Sequence, residues 1–125
     1  MRSLPVAGSG LTDIRAIVDG STLPDEVKVA SIRVFEKLAR VEAGIRLIDI
    51  YQAVHHHLLY LPASPTESHS SVAGAICANV NGKDAWHHGS FARQVVRLTL
   101  LIANGETLTI DRSHELFNAV VGGIG

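Results

Sequence analysis

Residues 71–91 read SVAGAICANVNGKDAWHHGSF, and this stretch organises the rest of the chain. Its first half is crowded with small side chains (Ala73, Gly74, Ala75, Ala78), and Gly82-Lys83 and Gly89-Ser90 follow. Residues this small let backbone N–H groups come close to an anion such as a phosphate. A short helix is expected from about Val72 to Asn79, starting just after Ser71. The stretch divides a chain whose front reads as helical and whose clearest strand signal lies behind it. That pattern is α+β.

Downstream, Val95, Arg97, Thr99 and Leu101 alternate with Val96, Leu98, Leu100 and Ile102. Asn104-Gly105 then reads as a two-residue turn into Thr107-Leu108-Thr109-Ile110, an antiparallel hairpin. Ser113 is the expected cap of a C-terminal helix, HELFNAVV, with Glu115 in its first turn and Gly122 as terminator.

Upstream, residues 1–10 carry Gly8, Ser9 and Gly10 and read as a flexible lead-in. Thr12 is positioned to cap a short helix through about Val18, ended by Gly20. Pro24, Asp25 and Glu26 suit the first turn of a longer helix. Val27, Ser31, Val34, Leu38, Val41 and Ile45 recur at three- and four-residue steps, a mostly apolar stripe on one helix face. Gly44 ends or bends it. Leu47, Ile50, Tyr51, Val54 and Leu58 make a second helical pattern, broken at Pro62 and Pro65, and residues 64–71 are a polar loop.

The chain has 125 residues, 46% hydrophobic and 18% charged, with a formal net charge of −1 and one cysteine. One ordinary domain, or parts of two, fits that length. The charge leaves no footprint for nucleic acid, and no apolar run approaches the ~20 residues of a membrane span. No signal peptide is read in the opening residues, which makes the cytoplasm the expected location. Cys77 alone excludes an internal disulfide and a multi-cysteine metal site, and reads as a small buried residue on the short helix. His55, His56 and His57 are consecutive, so on a helix they point in different directions, and no carboxylate or Cys pattern follows at ligand spacing. They read as a solvated helix end, and no metal is expected.

From about Val41 to Gly125 the chain resembles the FAD-binding domain of the vanillyl-alcohol-oxidase-like (PCMH-type) flavoenzymes, nearest to sugar and alcohol oxidoreductases related to decaprenylphosphoryl-ribose oxidase. VEAGIRLIDIYQAV is similar to the strand and helix before the cofactor loop. LPASPTESHSSVAGAICANVNGKDAWHHGSF is similar to the loop and helix that cradle the FAD pyrophosphate. RQVVRLTLLIANGETLTIDRSHELFNAVVGGIG is similar to the hairpin, helix and Gly-Gly turn that follow. The resemblance implies FAD as cofactor and a C–H bearing a hydroxyl group, on a sugar or alcohol, as the hydride donor. It implies that Ser71, Val72, Ala73 and Gly74 lie along the pyrophosphate. Ala78, Asn79, Val80 and Asn81 lead toward the flavin, and Lys83 faces the reacting hydroxyl as the catalytic charge.

Departures from the family pattern are specific. Its Gly-Thr pair, Thr-Val-Gly-Gly turn and His-Gly-Lys-Asn motif read here as Thr66-Glu67, Ser71-Val72-Ala73-Gly74 and Asn81-Gly82-Lys83-Asp84. Thr66 is β-branched and resists the positive φ that glycine permits, and Glu67 brings a carboxylate toward an anionic cofactor. No Arg-Ser-Tyr-Gly-type loop and no substrate-binding domain are read in the chain. LTDIRAIVDGSTLPDEVKVASIRVFEKLARVEAGI, at the front, is similar to a helical segment of the nickel-pincer cofactor biosynthesis (nickel insertion) protein.

The expected organisation is therefore a lead-in (1–10), a foreign helical segment (11–45) and a partial FAD-binding α+β subdomain (46–125). The expected function is a truncated FAD-binding module of an oxidoreductase, inactive alone. The alternative is a non-enzymatic α+β interaction fragment, whose apolar stripe and unpaired hairpin edges need a partner or an oligomer.

Overall fold

A computed structural model describes residues 12–13, 15–19, 29–33 and 37–124, with side chains from residue 37 onward. Seven strands are described: β1 (Thr12–Asp13), β2 (Arg15–Asp19), β3 (Val29–Arg33), β4 (Leu38–Glu42), β5 (Leu59–Tyr60), β6 (Val95–Leu101) and β7 (Thr107–Asp111). The helices are α1 (Leu47–His55), α2 (Val72–Cys77), α3 (Ala85–His88) and α4 (Glu115–Val120), with a 3-10 turn at Phe91–Gln94. The α+β class, the hairpin and the C-terminal helix stand as the sequence implied.

Residue by residue, the front of the chain differs from the helices expected there. Thr12–Val18 was read as a helix and holds β1 and β2; the stripe from Val27 to Ile45 was read as a helix and holds β3 and β4. Gly20, Pro24, Val27 and Val34, like residues 1–10, lie outside the described residues. The physical reason shows in β4, where Ala39 and Val41 are buried while Arg40 between them is exposed. That is a period of two, and a 3.6-residue stripe that includes Val41 and Ile45 fits the same apolar positions by coincidence. Val18, Val29, Ile32 and Val41 are also β-branched and lose less by extending than by coiling.

The main sheet has the order β3-β4-β2-β6-β7. At its centre β2 runs parallel to both β4 and β6, and each flank closes with an antiparallel partner. A separate parallel pair joins β1 to β5. Strands from residues 15–19 and 95–98 are thus hydrogen-bonded neighbours.

Helix α1 buries Leu47, Ile50 and Val54, the expected i, i+3, i+7 face. Leu58 drops out of that pattern, with φ 56 and a side chain 37% exposed. Phe91, Val95, Val72 and Ile76 join α1 in one cluster against the sheet. Fully burying side chains of this size is worth about 1.5–3 kcal/mol each.

Two local expectations change. The hairpin loop is three residues, Ala103 to Gly105: Gly105 N–H donates to Ile102 O at 2.9 Å and Ile102 N–H to Glu106 O at 3.0 Å. Gly105 has φ 85, and Asn104 is not among the residues with positive φ. This is a type I turn closed by a left-handed glycine, not a two-residue turn, which would need positive φ at Asn104 as well. The cap of α4 is His114, whose Nδ1 accepts from Leu116 N–H at 3.2 Å. Ser113 instead donates to Asp111 through its N–H and hydroxyl, at 2.9 and 2.6 Å.

A Cβ on Gly105 would meet nothing within 4 Å, so only backbone conformation is at stake there. Gly105→Ala should lower unfolding stability by about 1–2 kcal/mol, and Gly105→Asn by clearly less. Urea midpoints of the two variants check this.

Candidate functional site

Helix α2 follows from its capping. Ser71 sits in extended backbone (φ −71, ψ 157) and its Oγ accepts from Gly74 N–H at 3.0 Å. The neighbouring N–H groups are also committed: Val72 donates to Ile45 O and Ala73 to Ala43 O, both at 2.9 Å. The turn at 71–74 therefore offers an incoming group its small side chains and the Ser71 hydroxyl, rather than a row of open N–H donors. Gly74 is exposed and Ala73 half-exposed, so an elongated ligand meets no bulky side chain at either position.

Beyond α2 the chain turns on Asn79 (φ 47) and runs out through Val80 and Asn81. It returns alongside itself: Phe91 N–H donates to Val80 O at 2.9 Å, and Asn81 bridges Ser90 antiparallel. Residues 82–89 are thereby one closed excursion, with α3 inside it. Trp86 stands on this excursion 87% exposed, its ring centroid 5.4 Å from that of His87. Ala78, Asn79 and Asn81 are exposed and Val80 half-buried, whereas the Val72 side chain is fully buried in the core.

Lys83 lines a cavity of about 310 Å³ together with Leu61, Ser64, Pro65, Thr66 and Asp84. Glycine is required beside it by close approach. A Cβ on Gly82 would lie 2.5 Å from Ser64 O and 2.7 Å from the Ala63 carbonyl carbon. Asp84 holds the other side, its Oδ2 accepting from Ala63 N–H at 3.1 Å. Positive φ in this loop falls on fully buried Ala63 (φ 57), not on Thr66. Glu67 is turned back on its own loop, accepting from His69 N–H and lying 2.9 Å from His69 Nδ1. The His69 backbone N–H is the main cause holding the Glu67 carboxyl below its ordinary value.

Asp84, Ser64, Tyr60 and Tyr51 were not singled out from the sequence. Ser64 lies near the Tyr51 phenol, and Tyr60 Oη lies 3.2 Å from His88 Nε2. The partners are 13 and 28 residues apart, a separation at which no local pattern speaks. Burial is the main cause that pushes the Tyr51 phenol above its ordinary value of 10.0; the Asp84 charge adds to the rise and the Ser64 hydrogen bond opposes it.

His55 and His56 are exposed, as a solvated helix end implies. His57 is not: it is 7% exposed, and its Nδ1 has no hydrogen-bond partner. Among the described residues no group of three or more His, Cys, Asp or Glu side chains is placed to hold a metal ion. Cys77 is half-buried at the end of α2. No helix among the described residues is long and apolar enough to cross a membrane.

Two features thus stand among the described residues, a capped turn followed by small residues and a cavity lined by Lys83. The FAD binding domain model matches residues 7–111, and the chain belongs to that family. It is 34% identical over 106 residues to decaprenylphosphoryl-beta-D-ribose oxidase of Mycolicibacterium smegmatis, covering 82% of this chain and 23% of that protein. It is 37% identical over 87 residues to D-arabinono-1,4-lactone oxidase of Yarrowia lipolytica, covering 68% of this chain and 16% of that protein. It is 35% identical over 94 residues to L-gulonolactone oxidase of Bos taurus, covering 74% of this chain and 21% of that protein. The chain thus spans less than a quarter of the length of these relatives.

The family match starts at residue 7 and runs through residue 45 without a break in assignment. The likeness of residues 11–45 to a nickel-insertion protein finds no support, and the described part of that segment is strand rather than helix. Its β2 supplies the middle of the sheet that β6 completes.

FAD fits the residues present. The path beside α2 carries no anionic side chain, and Ser71 Oγ, which accepts from Gly74, keeps its proton to donate outward. Lys83 is exposed at the cavity, and the nearby Glu67 charge is engaged by His69.

Two outcomes are expected. Gly82→Ala must push the 82–84 turn off the Ser64 backbone, so it should cost about 1–3 kcal/mol in urea unfolding, as overpacking does. For Tyr51 the neutral phenol is the form the fold favours, so its contribution to stability is complete below pH 10.0 and is lost as pH rises through its raised folded value. Tyr51→Phe should flatten that alkaline loss, as seen in unfolding free energies measured across the alkaline range.

Proposed function

We propose that this chain is the FAD-binding module of an oxidoreductase that acts on the CH–OH group of a sugar or alcohol. The observation that carries the reading is the family match over residues 7–111, taken with a lysine exposed at a cavity. The relatives bearing this module include a lactone oxidase and a ribose-derivative oxidase, which favours a hydroxylated substrate.

In this reading Ser71, Val72, Ala73 and Gly74 flank the pyrophosphate. Ser71 donates its hydroxyl proton, and the missing side chain at Gly74 permits close contact. Ala78, Asn79, Val80 and Asn81 carry the path toward the isoalloxazine. Bound FAD supplies a two-electron acceptor for hydride. Lys83 lines the cavity that takes the substrate. Oxidation of a CH–OH group would pass its hydride to bound FAD and its hydroxyl proton to solvent. The Lys83 ammonium beside the hydroxyl oxygen would stabilise the negative charge that develops on it. Residues lining the cavity from Leu61 to Thr66 would orient the hydroxyl-bearing carbon.

The test is flavin retention. Protein purified with excess FAD and desalted should keep a yellow, fluorescence-quenched flavin, and Gly74→Trp should weaken binding tenfold or more. The Cβ of that variant meets only Ser71 Oγ, at 3.1 Å, so circular dichroism should show the fold intact. A folded but colourless wild-type protein would overturn the reading in favour of an interaction module.

A further inference from the structure

Tyr60, Asp84 and His88 belong to none of the cofactor or substrate roles assigned above, yet they meet. His88 Nε2 lies 3.2 Å from Tyr60 Oη and 3.9 Å from Asp84 Oδ2. The Tyr60 and His88 rings stand edge to face with centroids 6.2 Å apart. The chemistry of the three groups is complementary. A carboxylate only accepts, so a proton on Nε2 suits Asp84. A tyrosyl hydroxyl donates or accepts, so Tyr60 suits either tautomer. His88 is itself held from behind, its carbonyl accepting from the buried Gln94 side chain at 3.2 Å. The His87 ring centroid lies 4.6 Å from that of His88, and Asp13 of β1 pairs in register with Tyr60.

What this cluster restrains is one short piece of backbone. Asp84 Oδ2, the oxygen nearest His88, is also the acceptor for Ala63 N–H. Ala63 has φ 57, a left-handed conformation unfavourable to an L-residue, and it persists only where its surroundings enforce it. Gly82 presses on the same segment from the other side of Lys83. Lys83 therefore stands between two points of close approach, one of them held by the Asp84 carboxylate that lies 3.9 Å from His88 Nε2.

We propose that Tyr60 and His88 are positioning residues. Through Asp84 they clasp the 61–66 loop to the 82–84 turn and so set where Lys83 stands in the cavity. The proposal rests on the reading of Lys83 as the substrate-facing charge, but its test does not need flavin.

Amide hydrogen exchange and side-chain nuclear Overhauser contacts are measured by NMR on the whole chain and on His88→Ala, His88→Gln, Tyr60→Phe and Asp84→Ala. His88→Ala and Asp84→Ala should each speed exchange of the Ala63 amide tenfold or more and weaken the Overhauser contacts between Gly82 and the closely approaching Ala63–Ser64 segment. Amides of Leu98 and Ile110 in the sheet should stay within twofold of wild type. His88→Gln, which keeps a donor in reach, should recover most of the Ala63 protection, and Tyr60→Phe should show an intermediate loss. Unchanged Ala63 exchange in His88→Ala overturns the proposal, as does an equal rise at Leu98 and Ile110, which would make His88 a general stabiliser. Should His88→Ala fail to fold, Tyr60→Phe decides alone by the same two readouts. A chain that shows the clasp but retains no FAD fails the functional reading only; one that retains FAD with the clasp readouts unmoved fails this proposal only.

Discussion

Strand β2 is where the fold is held together. It runs parallel to both of its neighbours, so neither pairing can come from a tight turn, and each partner must arrive by a longer connection. β4 comes from just downstream, but β6 begins only at Val95. Between those two strands the chain spends α1, β5, α2 and the 82–89 excursion. The candidate site is that intervening segment. Its position is set because both of its ends are built into the same sheet, one on either side of β2.

How much could be read beforehand follows from how local each feature is. The hairpin, α1 and α2 were legible because their signals lie within a few residues: alternation from Val95, an apolar face at Leu47, Ile50 and Val54, a serine before small residues. The front strands were not, because a stripe through Val41 and Ile45, four residues apart, satisfies two periodicities. Only the partner on the other side of the sheet decides between them. The three-residue hairpin loop was missed for a subtler reason. Asn-Gly suits a two-residue turn, but here Asn104 Oδ1 accepts from Glu106 N–H at 3.0 Å, which leaves the left-handed conformation to Gly105 alone.

The site divides the same way. Lys83 and the small residues from Ser71 to Asn81 stand out in the sequence because they are contiguous. Their chemistry was partly misjudged, since the N–H groups at 72–74 bind backbone and a capping hydroxyl instead of facing outward. Asp84, Tyr60 and Ser64 stayed hidden because their roles exist only once the 61–66 loop folds onto the 82–84 turn. Glu67 reads as a repulsive charge in one dimension. In three it is engaged by its own loop, with His69 two residues away.

Trp86 is the only tryptophan in the chain, and it is 87% exposed on the excursion that carries Lys83. The molecule therefore carries its indole fluorophore outside the core. Emission from a solvated indole is much the same in a folded and an unfolded chain, so this natural optical label is nearly blind to folding. It is instead stationed a few residues from the cavity, where the arrival of any light-absorbing or charged guest would register first.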